Sequence, residues 1–583
     1  MGYLNGPRIN FWGGGSTNVD TANNTGHGLV DLVTATVTSN KTDEQLIDAL
    51  RQPAKNSQGQ NFYTVASWNY YGDHQVAFMN AKVSSSGPPG GVSTSGDLVG
   101  APVYLLGSID PQSGEGPYGG PVMVDLDPTS SQTTRIYVGG LQIGNPNPVL
   151  LVRADTLCHS HFLGLRYDRN TTQPLFLTPG SVFANGTFQV GFPKEAIVSY
   201  DDTIEILKDI IEAPGAIGIV LRFSMFEFMP GMSSDELQQN YKNNYNDSNR
   251  SLGRIIGTIG PWFAGEPASC PPGRLLQNQN LGGAQGLAFL DATNNRLSLD
   301  LVSALQGQAI RQDSKANTTP IGANVDYGTL QIGTSAGTLV DTPSLPTSYY
   351  VFGGIYDLGL DSGQVTTLSE NPIVIKSSKN NLDLAESALR VFSNDRNIYI
   401  DEVDGSTTID LQVMELGGPV QSDTTLTLAT SASGDFPDAH FLEFPSSLTV
   451  KAGSDSVVFK VSDNGGDAGF LALHVNAGVE KAYFVNFRKY PQVDYRSIIE
   501  AGAIPWETVY EECLRFYYIL FPAMSKRIPL NDEATIQAVA GEILKRISDR
   551  YRPTTLYMPL TRSLSPDKVA LLRAYLSPSK TPA

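Results

Sequence analysis

Up to about residue 375, most apolar positions fall in short runs broken by Gly, Pro, Asn and Ser. Runs at 101–106, 121–126 and 217–228 predict strands of one or two sheets. Two helices interrupt this pattern. Ile204, Leu207 and Ile211 share one face of a helix over 201–212, with Asp201 and Asp202 in the first turn, where the helix dipole favours anions. Ser233-Ser234-Asp235-Glu236 reads as a capping box with Ser233 as N-cap. Residues 84–96 (SSSGPPGGVSTSG) offer nothing to bury and predict a flexible surface loop.

Between about 385 and 490 the alternation is cleaner. Ile409, Leu411 and Val413 fall on one strand face, as do Leu471, Leu473 and Val475, and Asp463-Asn464-Gly465-Gly466 marks a turn. This spacing predicts a compact antiparallel sandwich, immunoglobulin-like in general form. The last stretch is helical. Residues 506–521 form one helix ended by Pro522, Asn531 caps a second that runs to about Arg550, and Ser565-Pro566 opens a third. The expected fold class is mainly β with some α: antiparallel β-sandwich domains followed by a C-terminal helical segment. The expected division is 1–270 (β-rich with inserted helices), 271–384 (a second β-rich region), 385–490 (the small sandwich) and 491–583 (the helical tail). Leu514, Tyr517, Tyr518 and Phe521 form an apolar tail face too large to leave exposed, so the tail is expected to dock on the body.

Composition narrows the function. The 583 residues carry a net charge of −18, which argues against a nucleic-acid partner. The tail departs from this, with 14 Lys+Arg against 10 Asp+Glu from Arg488 onward. No apolar run is long enough to span a bilayer, and the first residues lack the charged and apolar regions of a signal peptide, so the expected location is cytoplasmic. Three scattered cysteines exclude a disulfide framework.

Few local motifs carry chemistry. Gly333-Thr334-Ser335-Ala336-Gly337 matches G-x-S-x-G, but strand-like residues flank it on both sides, so a hairpin is expected rather than a nucleophile elbow. Cys158-His159-Ser160-His161 is the densest set of soft ligands. In an extended segment His159 and His161 project to one face and could hold Zn, Cu, Fe or haem; the alternative is a strand with two surface histidines. His27 and His74, in polar turn-like contexts, are either proton donors and acceptors or turn residues. His474 is expected to be solvated. No P-loop, Rossmann fingerprint or H-E-x-x-H occurs.

Read in order, several segments together resemble one family. Pro7-Arg8-Ile9-Asn10-Phe11, Thr21-Ala22-Asn23, His27-Gly28, Asp97-Leu98-Val99-Gly100-Ala101 and Val124-Asp125-Leu126-Asp127-Pro128-Thr129 come first. Pro272-Gly273-Arg274-Leu275-Leu276, Phe521-Pro522-Ala523-Met524-Ser525 and Tyr557-Met558-Pro559-Leu560-Thr561-Arg562 follow. Their order resembles the N-terminal half of the VioB/RebD/StaD family, the violacein biosynthesis protein and the chromopyrrolate synthases. Members continue into a ferritin-like helical domain suited to iron, and the sequence stops at Ala583, where that domain would begin. The resemblance implies a role in oxidative coupling of indolepyruvate imines, an oxidoreductase reaction associated with haem or iron. A separate ferritin-like subunit and a small aromatic substrate are the expected partners. The competing expectation is a non-catalytic scaffold or binding protein derived from the same half. For a metal, His159 and His161 are the candidate ligands; Cys158 is a candidate cofactor contact, and His27 and His74 are candidate acid/base or orienting groups.

Overall fold

A computed structural model describes residues 2–20, 29–51, 69–161, 184–230, 232, 234–244, 247–280, 285–305, 326–342, 348–379, 382–400, 405–434, 436–478 and 481–577. The fold is mainly β, with several antiparallel sheets and a C-terminal helical segment.

The middle layer is a five-stranded sheet in the order Val76–Gly87, Arg8–Thr17, Ser251–Phe263, Ala216–Pro230, Ala184–Pro193. Its strands alternate between two buried faces. Ile219, Leu221, Phe223 and Met225 face a second sheet built around Thr134–Ile143 and Leu150–His159. Val220 and Phe226 point the other way, towards an eight-stranded sheet spanning Arg274 to Glu386. A strand covered on both faces is apolar nearly throughout, which is why 217–228 reads as a continuous run rather than an alternation.

Polar side chains on that second interface are paired. Arg8 and Arg222 of the middle sheet form ion pairs with Asp357 and Asp300 of the eight-stranded sheet, and all four side chains are buried. The Tyr3 hydroxyl donates to Asp300 at 3.1 Å. Within the outer layer, Arg274 grips Glu386 through Nε at 2.7 Å and Nη2 at 2.5 Å.

Residues 84–96 depart from the flexible loop expected of them. Ser84 and Ser85 belong to the strand Val76–Gly87, and both hydroxyls donate to the Val351 carbonyl at 2.7 Å. Gly90 N–H donates to Asp357 at 2.8 Å, so backbone and hydroxyl pairing fixes a segment that has few apolar side chains to anchor it. The G-x-S-x-G stretch forms the expected hairpin between Leu330–Thr334 and Gly337–Thr342.

Residues 389–489 form two facing sheets of four and five strands around one core. The edge strand Asn397–Ile400 runs parallel to Tyr483–Lys489, the others antiparallel.

The helical tail packs against 29–50 and Tyr70, burying Leu514, Tyr517 and Phe521 and partly burying Tyr518. The helix expected over 506–521 is interrupted by a π turn at Tyr510–Leu514 and breaks at Phe521. Pro522 then starts the short helix Pro522–Ser525, a position where its missing N–H costs nothing. Asp532 rather than Asn531 caps the next helix, while Ser565 caps Pro566–Leu576 as expected. The helix expected over 201–212 is shorter, Glu205–Ile211, because Asp201 ties its carboxylate to Thr203 instead of entering the first turn. Ser233 lies outside the described residues, ahead of the helix Ser234–Lys242. Among the described residues, no helix is long and apolar enough to cross a membrane.

The buried pairs make a direct test. Arg222→Leu leaves the Asp300 carboxylate buried beside the hydroxyl of Tyr3 without its cation, and is expected to destabilise the fold by about 3–5 kcal/mol in urea unfolding. Adding Asp300→Leu to that variant is expected to recover a large part of the loss. Equal stability of the parent and the single variant would contradict an ion pair between the layers.

Candidate functional site

Where the tail meets the second sheet, a cavity of about 660 Å³ opens, and His74 forms part of its wall. The turn before His74 is built for close approach. A Cβ at Gly72 would come within 2.5 Å of the Asn18 carbonyl and the Asp20 amide, so the chain passes there only as glycine. Asp73 accepts from Asn18 Nδ2 at 2.7 Å and from the Gln75 amide at 3.1 Å. His74 itself adopts φ +61°, a left-handed conformation that costs a non-glycine residue about 1 kcal/mol or more. Its backbone is held from both sides: its N–H donates to Asn18 O at 2.8 Å and its carbonyl accepts from Met123 N at 2.9 Å.

The imidazole is equally constrained. Nδ1 lies 3.0 Å from the Met123 carbonyl, and the ring sits 5.9 Å, centroid to centroid, from Phe521. Nε2 is buried and has no hydrogen-bond partner among the described residues. A buried polar atom left so costs about 1–3 kcal/mol. Burial pushes the His74 pKa down; the Met123 carbonyl and Asp73 oppose this, and Arg562 adds to it. The ring is therefore neutral at neutral pH. Because a carbonyl can only accept, the one ring proton sits on Nδ1 and Nε2 carries a bare lone pair.

The rest of the wall divides by chemistry. Leu514, Tyr517, Phe521 and Met524 give an apolar, partly aromatic interior. Arg250, Lys526 and Arg527 give an exposed rim with an excess of positive charge, beside the exposed carboxylate of Asp247. Lys526 Nζ lies 4.4 Å from the centre of the Tyr71 ring. Arg546 is already engaged, with Nε 2.5 Å from Glu542. Cys513 also borders the cavity, but burial pushes its thiol up to about 12, so it is not a nucleophile near neutral pH.

The Cys158–His161 segment sits elsewhere, at the end of Leu150–His159 where the second sheet meets the small sandwich. Cys158 points into the apolar core, its Sγ 3.8 Å from the Ile136 carbonyl, and burial keeps its thiol protonated. Neither histidine is on the surface. His159 Nδ1 is 2.9 Å from Asn397 Nδ2, which donates to it. His161 Nδ1 is 3.4 Å from an Arg396 nitrogen and 3.7 Å from Cys270 Sγ. Burial pushes both imidazoles well below the usual value; Arg135 and Arg396 reinforce this at His159, and Arg396 and His159 do so at His161. Among the described residues, no three His, Cys, Asp or Glu side chains cluster to hold a metal ion. As placed, the two rings lack a third ligand there and sit beside two guanidinium groups that oppose an added cation. His27 lies outside the described residues. His474, expected to be solvated, is half-buried, its Nε2 2.7 Å from the Ser431 hydroxyl.

Sequence reasoning thus named His74 as a candidate but not its surroundings. The tail side chains that complete the cavity are remote in sequence, and their helical spacing signalled only a buried face.

Fold and cavity together define a multi-sheet β body with a pocket at an inter-layer seam, a common place for small-molecule sites. Comparison with known proteins narrows this class. No family model matches the chain. Over 99% of its length it is 24% identical to the 2-imino-3-(indol-3-yl)propanoate dimerase of Chromobacterium violaceum, covering 58% of that protein. It is 22% identical, again over 99% of its length, to the dichlorochromopyrrolate synthase of Lentzea aerocolonigenes, covering 56% of it. The resemblance to the N-terminal half of that family therefore runs along the whole chain, and the chain spans somewhat more than half the length of these relatives. Among solved structures, the secreted serine protease VesC from Vibrio cholerae aligns at 10% identity over 57% of this chain and 74% of its own, with a TM-score of 0.15, too slight a likeness to bear on fold or function.

The buried imidazoles set a pH dependence. His74, His159 and His161 all have folded pKa values below the ordinary 6.5. Below that value the unfolded chain binds protons that the folded chain refuses, so their contribution is fully present above pH 6.5 and is lost as the pH falls. Each fully titrating ring is expected to remove about 1.4 kcal/mol per pH unit in this window, or about 3 kcal/mol per unit for His159 and His161 together, with His74 adding to the loss. Urea unfolding at pH 7.5 and 5.5 reads this loss, and His159→Gln should shallow it by about one proton. Equal unfolding free energies at the two pH values would contradict it.

Proposed function

We propose that this chain is the substrate-holding β body of a system that couples tryptophan-derived imines oxidatively. The carrying observation is the similarity, over 99% of the chain, to an indolyl-imine dimerase and a chromopyrrolate synthase. A pocket with aromatic walls and a basic rim supports the reading, because an indolyl imino acid combines a flat apolar ring with a carboxylate.

Joining two such imines through carbon removes two hydrogens, so two electrons and two protons must leave. The described residues do not fit a metal centre that would take those electrons, and no step is assigned to one. In this reading the two electrons pass to an oxidant, iron with dioxygen, held by a ferritin-like helical unit, and the β body binds and orients the imines.

The test supplies the imine continuously from L-tryptophan with an L-amino-acid oxidase, adds a ferritin-like unit of this family, and follows the dimer by mass spectrometry. Dimer formation is expected to fall at least about tenfold when this chain is left out, as loss of positioning predicts. Dimer formation that does not depend on this chain would overturn the reading and favour a scaffold without a part in the reaction.

A further inference from the structure

The π turn Tyr510–Leu514 changes which aromatic rings meet in the helical tail. Such turns are rare inside helices and recur at functional sites. Eight residues separate Tyr510 from Tyr518, and eight residues of α-helix overshoot two full turns by about 80°. The wider π turn takes up that excess, and the two rings lie 6.3 Å apart, centroid to centroid. On the other side of Tyr510, Trp506 stacks at 5.8 Å and 24°. Trp506 is partly exposed and also packs against Tyr575 of the last helix, at 6.0 Å. These are separations of direct ring contact. Tunnelling decays steeply with distance, so electrons pass between touching rings far faster than across a longer gap.

Both tyrosines that flank Trp506 donate their hydroxyl to a carboxylate from another element, Tyr510 to Asp43 and Tyr575 to Glu533. Burial and these carboxylates push both phenol pKa values up, so neither proton leaves at rest. Asp43 also holds Arg515 Nε at 2.8 Å, and Arg515 has a second partner in Glu511 at 2.9 Å. Arg515 therefore stays paired when Asp43 gains a proton. Taking an electron alone from a ring shielded from water would leave a poorly solvated cation. When the phenolic proton crosses to its carboxylate as the electron leaves, the products are a neutral radical and a neutral acid. Other tyrosines have only part of this arrangement. Tyr200 donates to Glu212 and Tyr551 to Asp110, both at 2.6 Å, but among the described residues no tryptophan ring packs on either.

We propose that Trp506, Tyr510 and Tyr575 form a one-electron oxidation site in the helical tail. A one-electron oxidant of high potential takes an electron from the Trp506 ring. Tyr510 or Tyr575 refills it, and as that electron leaves, the O–H bond breaks and the proton passes to Asp43 or Glu533. One electron has then gone to the oxidant, one proton has moved within the protein, and one neutral tyrosyl radical remains. Reduction of the radical returns the proton. From Tyr518 a route runs inward: the Tyr70 hydroxyl donates to the carbonyl of the adjacent Ile519 at 2.5 Å, and Tyr70 packs at 5.0 Å on Tyr71, in the cavity wall. Reduction by electrons from the cavity along this route rests on the function proposed above; the oxidation site does not.

Flash photolysis of the full chain with ruthenium(II) tris(bipyridine), and a cobalt(III) ammine as terminal acceptor, supplies the oxidant. EPR of rapidly frozen samples reads the radical. The parent is expected to give a tyrosyl spectrum. Tyr510→Phe combined with Tyr575→Phe keeps the rings but removes both phenols, and is expected to lose most of that signal. Tyr200→Phe is expected to keep it. Asp43→Asn combined with Glu533→Gln leaves each hydroxyl an acceptor for its hydrogen bond but none for its proton. It too is expected to lose most of the signal while remaining folded by circular dichroism, a loss that a merely structural role of the carboxylates would not produce. No tyrosyl signal in the parent, or an undiminished signal in either folded double variant, would overturn the assignment. A radical at this site, together with dimer formation that does not depend on this chain, would overturn the proposed function and leave the site standing.

Discussion

A sheet buried on both faces cannot carry an unpaired charge, and this constraint organises the molecule. The middle sheet has Arg8 and Arg222 on one of its faces, each almost fully removed from water. Isolated there, each guanidinium would cost several kcal/mol, so the layer above must present a carboxylate to each. Asp357 and Asp300 do so from the eight-stranded sheet, and Ser298 and the Gly90 amide satisfy the remaining oxygens of Asp357. Pairing at fixed points sets how the two sheets lie, which apolar contact alone would leave free to slide.

With both faces of the middle sheet covered, the outer face of the second sheet is left to take contacts from both the tail and the small sandwich. Ile136 and Val138 enter the core beneath, whereas Arg135 and Tyr137 point outward. Tyr137 lies under the Arg562 guanidinium of the tail at 3.6 Å, and Arg135 lies 4.3 Å from the Tyr399 ring of the small sandwich. Arg562 also donates to the carbonyls of Thr554 and Leu560, both at 2.5 Å, so its charge is solvated by backbone dipoles. Burial nonetheless pulls its pKa down to about 10. Ser108 and Thr555 exchange hydrogen bonds along the same seam. Tail and sandwich thus share one surface, and the cavity lies where the tail closes over it.

How much of this was legible depends on how far apart the partners stand in sequence. Local signals read well: the Ser565 cap, the hairpin at Gly333–Gly337 and the alternation around Leu411 and Leu473 are each set by a few neighbouring residues. Two capping boxes went unread although their signal was present. Thr42 with Gln45 and Asp361 with Gln364 open the helices Asp43–Leu50 and Ser362–Glu370, whose apolar faces are too short to stand out by period. The burial of His159 and His161 was not legible, because the groups that cover them, Asn397 and Arg396, come from the sandwich. The pairing of Arg8 with Asp357 was hidden for the same reason, and Arg8 appeared only as part of a family motif.

The histidines show what these seams do with an imidazole. At the sandwich seam, His159 and His161 lie beside guanidinium groups, and a charged ring there would meet like charge in a dry space. Neutral rings instead present a lone pair, and His159 uses its own to accept from the Asn397 amide, joining the second sheet to the sandwich. At the tail seam the same chemistry is arranged with one difference. His74 is also buried, neutral and held by a neighbouring backbone group, but its Nε2 has no hydrogen-bond partner among the described residues, and the Phe521 ring of the tail lies beside the imidazole. Of these three buried rings, His74 is the one that lines the cavity, and that placement, rather than the count of histidines or their spacing, separates it from the pair at the sandwich seam.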